Sequence, residues 1–401
     1  MKKREFCGFL LICVFSGDII TPEGDYMANV FDYINWRGDL SMTADGFNTV
    51  DAVILSRLSY LQLDGIVSTG TALTIREAAD RFFAYGSKTE NVLWKGDAEL
   101  LRAAADSGRF GGLKITNYVN IVDGSAWMQF AALTVALPDG RRFISYRGTD
   151  NTVVGWQEDF YMFCHFPFPS QKKALAYLEA AAEGDGRLIL GGHSKGGNLA
   201  VYAASFCTES IRERIDAVYS LDGPGFERKS LEGSGFCGIK ERIHTLVPQS
   251  SVFGMLFEHM ESYTVVRSSR RGFLQHDIYS WDVERTELIT LPQTTATSVF
   301  FDRTLKEFID GMSAEEKQRL ISGLYELVTG ADVDTFDEMA DNLLKSIAKM
   351  LGSIKSMKPG TRALILSQSG KLIKSAGKNL FKTAKQKKRS SQNTTKRGRR
   401  S

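Results

Sequence analysis

A serine set between glycines, in Gly192-His193-Ser194-Lys195-Gly196, is the strongest chemical signal in the chain. A serine hydroxyl is a weak nucleophile at neutral pH and needs a base to take its proton. Leu188-Ile189-Leu190 before it reads as a buried strand, and Asn198–Ala204 after it as a helix. Small neighbours (Gly191, Gly192, Gly196, Gly197) let strand and helix approach closely enough for a sharp, strained turn that lifts the hydroxyl above the sheet. The helix amino terminus then lies under any negative charge that develops there. A glycine-rich phosphate loop is the competing reading, and it lacks Walker spacing.

In a strand–turn–helix nucleophile site the partners follow in the order Ser, acid, His. Of the five histidines, His165 precedes the serine and His193 is held inside the turn. His244 falls within a predicted strand, and His259 precedes the last one. His276 comes just after the predicted strand ending at Arg267, where the base is expected. The acid is assigned to Asp222, which closes the strand after the nucleophile helix in Leu221-Asp222-Gly223-Pro224-Gly225. Its role would be to orient His276 and stabilise the imidazolium. Asp277, next to His276, would point elsewhere in an extended segment. An oxyanion hole needs two backbone N–H groups. Lys195 supplies one, and Thr149, in Arg147-Gly148-Thr149-Asp150 after an earlier strand, supplies the other. Trp156 and Asp159 are expected to fix that loop, with Gly148, Asp150, Gly192, His193 and Gly196 in supporting places.

The elements that must position these groups are legible in outline. Helical spacing runs from Asn48 to Leu63, from a capping box at Thr74-Ile75-Arg76-Glu77 to about Tyr85, and from Asp97 to Asp106. Lys114–Val122, Met128–Leu137 and Arg142–Tyr146 read as strands, the last two joined at Pro138-Asp139-Gly140. Helix Gln171–Ala182, strand Arg187–Gly191, helix Gly197–Phe206 and strands Ala217–Leu221, Ile243–Val247 and Tyr263–Arg267 follow. That alternation predicts a mainly parallel sheet with helices on both faces and an antiparallel hairpin in front. Three further helices, Ser298–Met312, Ser313–Thr329 and Asp334–Leu351, predict a helical appendage over 291–352, followed by a basic, disordered tail over 353–401.

The net charge of +3 conceals an asymmetry: seventeen of the 50 Lys and Arg follow Asp341, the last acidic residue. The body therefore carries 33 basic against 47 acidic side chains, which argues against nucleic acid as its partner. In the tail, Leu, Ile and Phe interleave with Lys, as in a segment that lies on anionic lipid; non-specific phosphate contacts to nucleic acid and a solvated tail are the alternatives. Five cysteines (Cys7, Cys13, Cys164, Cys207, Cys237) without C-x-x-C spacing argue against a disulfide framework or zinc site and suit a cytoplasmic setting. Residues 1–26 read either as a signal-like leader, which would mean secretion, or as a mis-assigned start before Met27.

Tyr146-Arg147-Gly148-Thr149-Asp150, Trp156, Asp159 and Gly192–Gly197 together resemble the fungal-type (class 3) lipases. Asp222–Phe226 and Ser250–Leu256 resemble more closely a bacterial lipase-like family of largely uncharacterised hydrolases, over residues 27–290. The resemblance implies an α/β-hydrolase fold, a Ser-His-acid site without cofactor or metal, and hydrolysis of small-molecule or lipid esters. One departure stands out. The class 3 acid belongs in a D-x-V-P segment that here reads Pro248-Gln249-Ser250-Ser251, which moves that role to Asp222, or to nothing. A hydrolase-fold protein that has lost catalysis and serves as a binding or scaffold module is the alternative function.

Overall fold

The computed structural model describes residues 27–313 apart from 69, 85–94, 151–152 and 163–164, with isolated positions beyond. The leader lies outside the described residues, as do the two later helices of the appendage and the basic tail apart from isolated positions. The described residues up to Gln293 belong to one compact unit, and those from Thr294 to another.

The first unit opens with helices α1 (Val30–Arg37), α2 (Thr49–Arg57), α3 (Ile75–Ala84) and α4 (Lys95–Asp106). Reciprocal caps start α1 and α2: Asn29 with Asp32, and Asn48 with Asp51. The Thr74–Glu77 capping box starts α3, with Glu77 N–H donating to Thr74 Oγ1 at 3.1 Å. Every residue of α2 from Val50 to Arg57 is buried, so it lies inside the molecule instead of showing a polar face. The Asp51 carboxylate is accordingly compensated, by Arg109 at 2.5 Å and Tyr33 Oη at 2.9 Å.

Strands β1 (Leu73–Thr74), β2 (Lys114–Asp123), β3 (Met128–Ala136) and β4 (Arg142–Tyr146) pair antiparallel in that order. Next come α5 (Val153–Met162), α6 (Pro169–Ala181), β5 (Leu188–His193), α7 (Lys195–Phe206), the short α8 (Glu209–Arg212) and β6 (Ile215–Leu221). The short α9 (Phe236–Ile239), β7 (Ile243–Pro248) and β8 (Tyr263–Val266) complete a parallel run from β4 to β8 in sequential order. β9 (Val283–Glu284) and β10 (Glu287–Leu288) form a separate hairpin, and β11 (Thr290–Leu291) closes the main sheet against β8. In the second unit, α10 (Ala296–Asp310) is followed by the Ser313–Glu316 capping box. No helix among the described residues is long and apolar enough to cross a membrane.

This is an α/β-hydrolase fold, with helices on both faces of the sheet for two different reasons. Crossovers of one hand between strands in sequential order put their helices on the same face. α6 and α7 accordingly share one apolar cluster with Ile144, Leu190 and Val218. The alternate strand residues Phe143, Ile189 and Tyr219 point to the other face, which the parallel run alone would leave bare. The amino-terminal helices cover it, through Val53, Ile54, Leu58, Ile75 and Leu101. β5 is therefore buried at every position, as its unbroken apolar run predicts.

Candidate active site

The register aligns the carboxyl ends of the parallel strands: Tyr146 lies opposite Gly192, His193 opposite Leu221, and Leu221 opposite Leu246. In such sheets ligands bind outside this rim. Thr149 follows β4, Ser194 follows β5, Asp222 follows β6 and His276 follows β8, so the topology gathers residues far apart in sequence.

Ser194 sits between β5 and α7 with φ +57° and ψ −131°, a backbone that side chains rarely adopt. Its N–H donates to Leu221 O at 2.8 Å, and its carbonyl accepts from Gly197 N–H at 2.9 Å, locking the turn on both sides. A Cβ on Gly192 would fall on the Gly196 backbone, and one on Gly196 on the Tyr146 carbonyl. The glycines are what allow the turn. Lys195 opens α7, so its N–H is among the first four of the helix, which have no intrahelical acceptor. Gly148 belongs to the same corner, since a Cβ there would lie 3.1 Å from that of Ser194.

His276 and Asp222 meet directly. The Nδ1 of His276 lies 2.6 Å from Asp222 Oδ2, and because an ionised carboxylate only accepts, Nδ1 carries the hydrogen. In a neutral imidazole with that hydrogen on Nδ1, Nε2 keeps its lone pair. The His193 and Phe253 rings both lie against the imidazole, with centroids 4.4 Å away and tilted. Asp222 is fully buried and takes the left-handed φ of +49°. Its other oxygen, Oδ1, accepts from Ser251 Oγ at 2.5 Å and Gly254 N–H at 3.1 Å. The segment that lacks the lipase-type carboxylate thus supplies the donors that hold a carboxylate from the neighbouring strand. Asp277 turns away, pairing with Arg270 at 2.9 Å and capping Tyr279 N–H.

In the loop after β4, Thr149 Oγ1 donates to Asp159 Oδ1 at 2.5 Å, which ties that loop to α5. Burial pushes Asp159 up to about 6; Lys195 and the Thr149 hydrogen bond oppose that rise, and the neighbouring Glu158 adds to it. Asp150 is buried, its N–H donating to Gln129 Oε1 at 3.1 Å. Trp156 lies on α5, with its side chain outside the described residues. The side chain of Lys195 turns inward: its Nζ is 2.5 Å from the fully buried Glu158 and 3.0 Å from Gln129 O. Glu158 also accepts from Ser170 N–H and Gln129 N–H, which satisfies the charge within the fold.

His193 links the two sides. Its Nε2 donates to His276 O at 2.7 Å, so Nδ1 is an acceptor, facing Tyr60 Oη at 3.1 Å and Arg57 at 3.4 Å. Burial, then the nearby His276 and Arg57, hold its proton affinity well below the usual histidine value, so it stays neutral. Tyr60 Oη in turn accepts from Gly148 N–H at 3.1 Å. Arg57 stacks on the Tyr60 ring at 3.7 Å and pairs with Asp97 at 2.5 Å, and Asp97 also accepts from Tyr279 Oη at 2.6 Å. A buried polar network from the amino-terminal helices therefore braces the loop after β4, the turn at Ser194 and the loop carrying His276.

The Mbeg1-like family model matches residues 104–326, more than half of the chain. The chain belongs to the Mbeg1-like family. This lipase-like family agrees with the relationship that the Gly148-Thr149 and Ser194 motifs suggest. No curated protein matches the chain. Among solved structures it is similar to the Rhizomucor miehei lipase propeptide complex, with 12% identity, a TM-score of 0.29, and coverage of 55% of this chain and 68% of that one. M37 lipase matches at 14% identity and TM-score 0.32, covering 52% and 68%. Lipase II from Rhizopus niveus matches at 14% and 0.29, covering 61% and 89%. Arg57, Tyr60 and Asp97 lie before the family-matched segment, and nothing in their sequence context pointed to the site. Ser251 and Gly254 did lie in a recognisable motif, but only the fold reveals what they touch.

Proposed function

We propose that the protein is a serine hydrolase cleaving carboxylic esters, with acyl lipids among the candidate substrates. Ser194 would attack the acyl carbon while His276 Nε2 takes its proton and returns it to the leaving alcohol. Water would then release the acyl group by the same route. Asp222 would hold His276 in the Nδ1–H form and stabilise the imidazolium, and the N–H groups of Thr149 and Lys195 would face the oxyanion. The observation that carries this reading is the 2.6 Å His276–Asp222 pair at the rim where the strained Ser194 turn also sits. A helix start under the serine and a carboxylate supplied with three hydrogen bonds are what such chemistry requires.

A fluorophosphonate probe tests it. Labelling and nitrophenyl-ester turnover are expected for the wild type and not for Ser194→Ala. Absent wild-type labelling, or equal labelling of both, overturns the reading in favour of a catalytically inactive scaffold. An anionic-lipid role for the basic tail is tested by flotation: the full chain should float with anionic liposomes and a chain ending near Leu351 should not. Equal flotation refutes it.

A further inference from the structure

Two buried histidines near Asp222 and His276 face opposite surroundings. His193 meets one acceptor and, across the ring, the donors Arg57 and Tyr60, so it needs a single hydrogen. His259, in the loop between β7 and β8, has an acceptor at each end. Its Nδ1 lies 2.9 Å from Glu261 Oε1, and its Nε2 is in close contact with the Gly254 carbonyl. A carbonyl has no hydrogen to give. Glu261 is ionised: although burial pushes its carboxyl up, the His259 ring and the Thr245 hydroxyl, which donates at 2.6 Å, more than offset that and hold it below the usual glutamate value. A neutral imidazole carries one N–H and would leave a lone pair facing an oxygen. The side chains of His259 and Glu261 are each 6% exposed, so water does little to relieve such a clash.

The residue clamped by Nε2 is Gly254, whose own N–H points at Asp222 Oδ1 from 3.1 Å. A Cβ on Gly254 would fall on that same oxygen, so only glycine lets the backbone come so near. We infer that His259 is a permanently protonated positioning residue, paired with Glu261, which pins the Gly254 carbonyl and so aims the Gly254 N–H at Asp222. The chain of contacts runs from Thr245 on β7 through Glu261, His259 and Gly254 to Asp222, and ends on His276. The inference rests on the reading of Asp222 and His276 as partners of Ser194. A polar dyad thus reaches the acid through Oδ1, the oxygen that His276 does not use.

The test joins spectroscopy to kinetics. In ¹⁵N-histidine-labelled wild type at about pH 8, roughly 1.5 units above an unperturbed histidine, one of the five imidazoles should show both nitrogens protonated. That signal should vanish in His259→Gln, which assigns it. Glu261→Gln removes the charge, and its amide NH₂ can turn toward Nδ1 while the Thr245 hydroxyl accepts in place of donating, so His259 should become a single neutral tautomer. Both variants should lower kcat for a soluble nitrophenyl ester by roughly 10- to 100-fold with KM unchanged, since a misplacement of about 1 Å at reacting groups costs up to about 100-fold. His259→Lys, which restores a cationic donor, should recover part of kcat. A neutral His259 in the wild type overturns the inference, as does kcat within about two-fold in both variants. Full esterase activity in Ser194→Ala would instead sink the hydrolase reading and the positioning role with it, while the imidazole signal reports the protonation of His259 independently of hydrolysis.

Discussion

Replacing Asp222 by asparagine gives the sharpest test of the site, because the surroundings dictate which way the new amide lies. Oδ1 of Asp222 faces two donors, Ser251 Oγ–H and Gly254 N–H, so the amide oxygen must take that side. The NH₂ group then faces His276 Nδ1, where Asp222 Oδ2 now accepts at 2.6 Å. To meet it, His276 must turn Nδ1 into an acceptor and carry its hydrogen on Nε2. The base is thereby blocked toward Ser194. Loss of the proper tautomer in a Ser-His-Asp site costs on the order of 10⁴ in kcat, which is about 5 kcal/mol at about 1.4 kcal/mol per factor of ten. Alanine would be a poorer choice, since it strands two buried donors and confounds catalysis with stability. The assay is nitrophenyl-ester turnover at neutral pH, alongside the rate of fluorophosphonate labelling and a thermal melt. Asp277→Asn is the control; its carboxylate is bound to Arg270 and Tyr279 N–H, and kcat should stay within about three-fold of wild type. A loss below about ten-fold in Asp222→Asn, or equal losses in the two variants, refutes the reasoning.

Two further outcomes follow from the buried charges. Burial raises Asp159 to about 6, above its unfolded value, so its contribution to stability is full below about pH 4 and is lost as pH rises through about 6. Asp159→Asn can still accept from Thr149, and should melt higher than wild type at pH above about 7 while matching it near pH 4; a pH-independent difference would contradict the assignment. Lys195→Met strands Glu158 and should cost about 3–5 kcal/mol, read as a fall in Tm of roughly 10 °C. Adding Glu158→Gln, which removes the stranded charge but keeps an acceptor for only one of Ser170 N–H and Gln129 N–H, should restore part of that loss, and simple additivity would show that the ion pair is not the cause.

Local rules made much of this protein legible before its fold was known. The β5–Ser194–α7 turn declares itself through an apolar run, a cluster of glycines and a helix-forming stretch, all within twenty residues. β4 matched its expected bounds, and the Thr74–Glu77 and Ser313–Glu316 capping boxes formed as the spacing predicts. α1 was not anticipated, since it is only eight residues long and its stripe of Val30, Tyr33 and Ile34 is short, and α5 went unread in part because Glu158, a charged residue, is buried in it.

What required the tertiary structure is everything that depends on strands lying side by side. Sequence order pointed to His276 and Asp222, but only the alignment of β6, β7 and β8 brings Ser251 and Gly254 onto the carboxylate oxygen that His276 does not use. Lys195 was assigned for its backbone N–H alone; that its ammonium is buried against Glu158 depends on where α5 packs. Tyr60 and Arg57 reach the site only because the bare face of the parallel sheet must be covered, and the amino-terminal helices cover it. The charge states of His193 and His259 belong to the same class. Chain order records which side chains exist, whereas the number of protons on an imidazole is decided by what each ring nitrogen meets once water has been excluded.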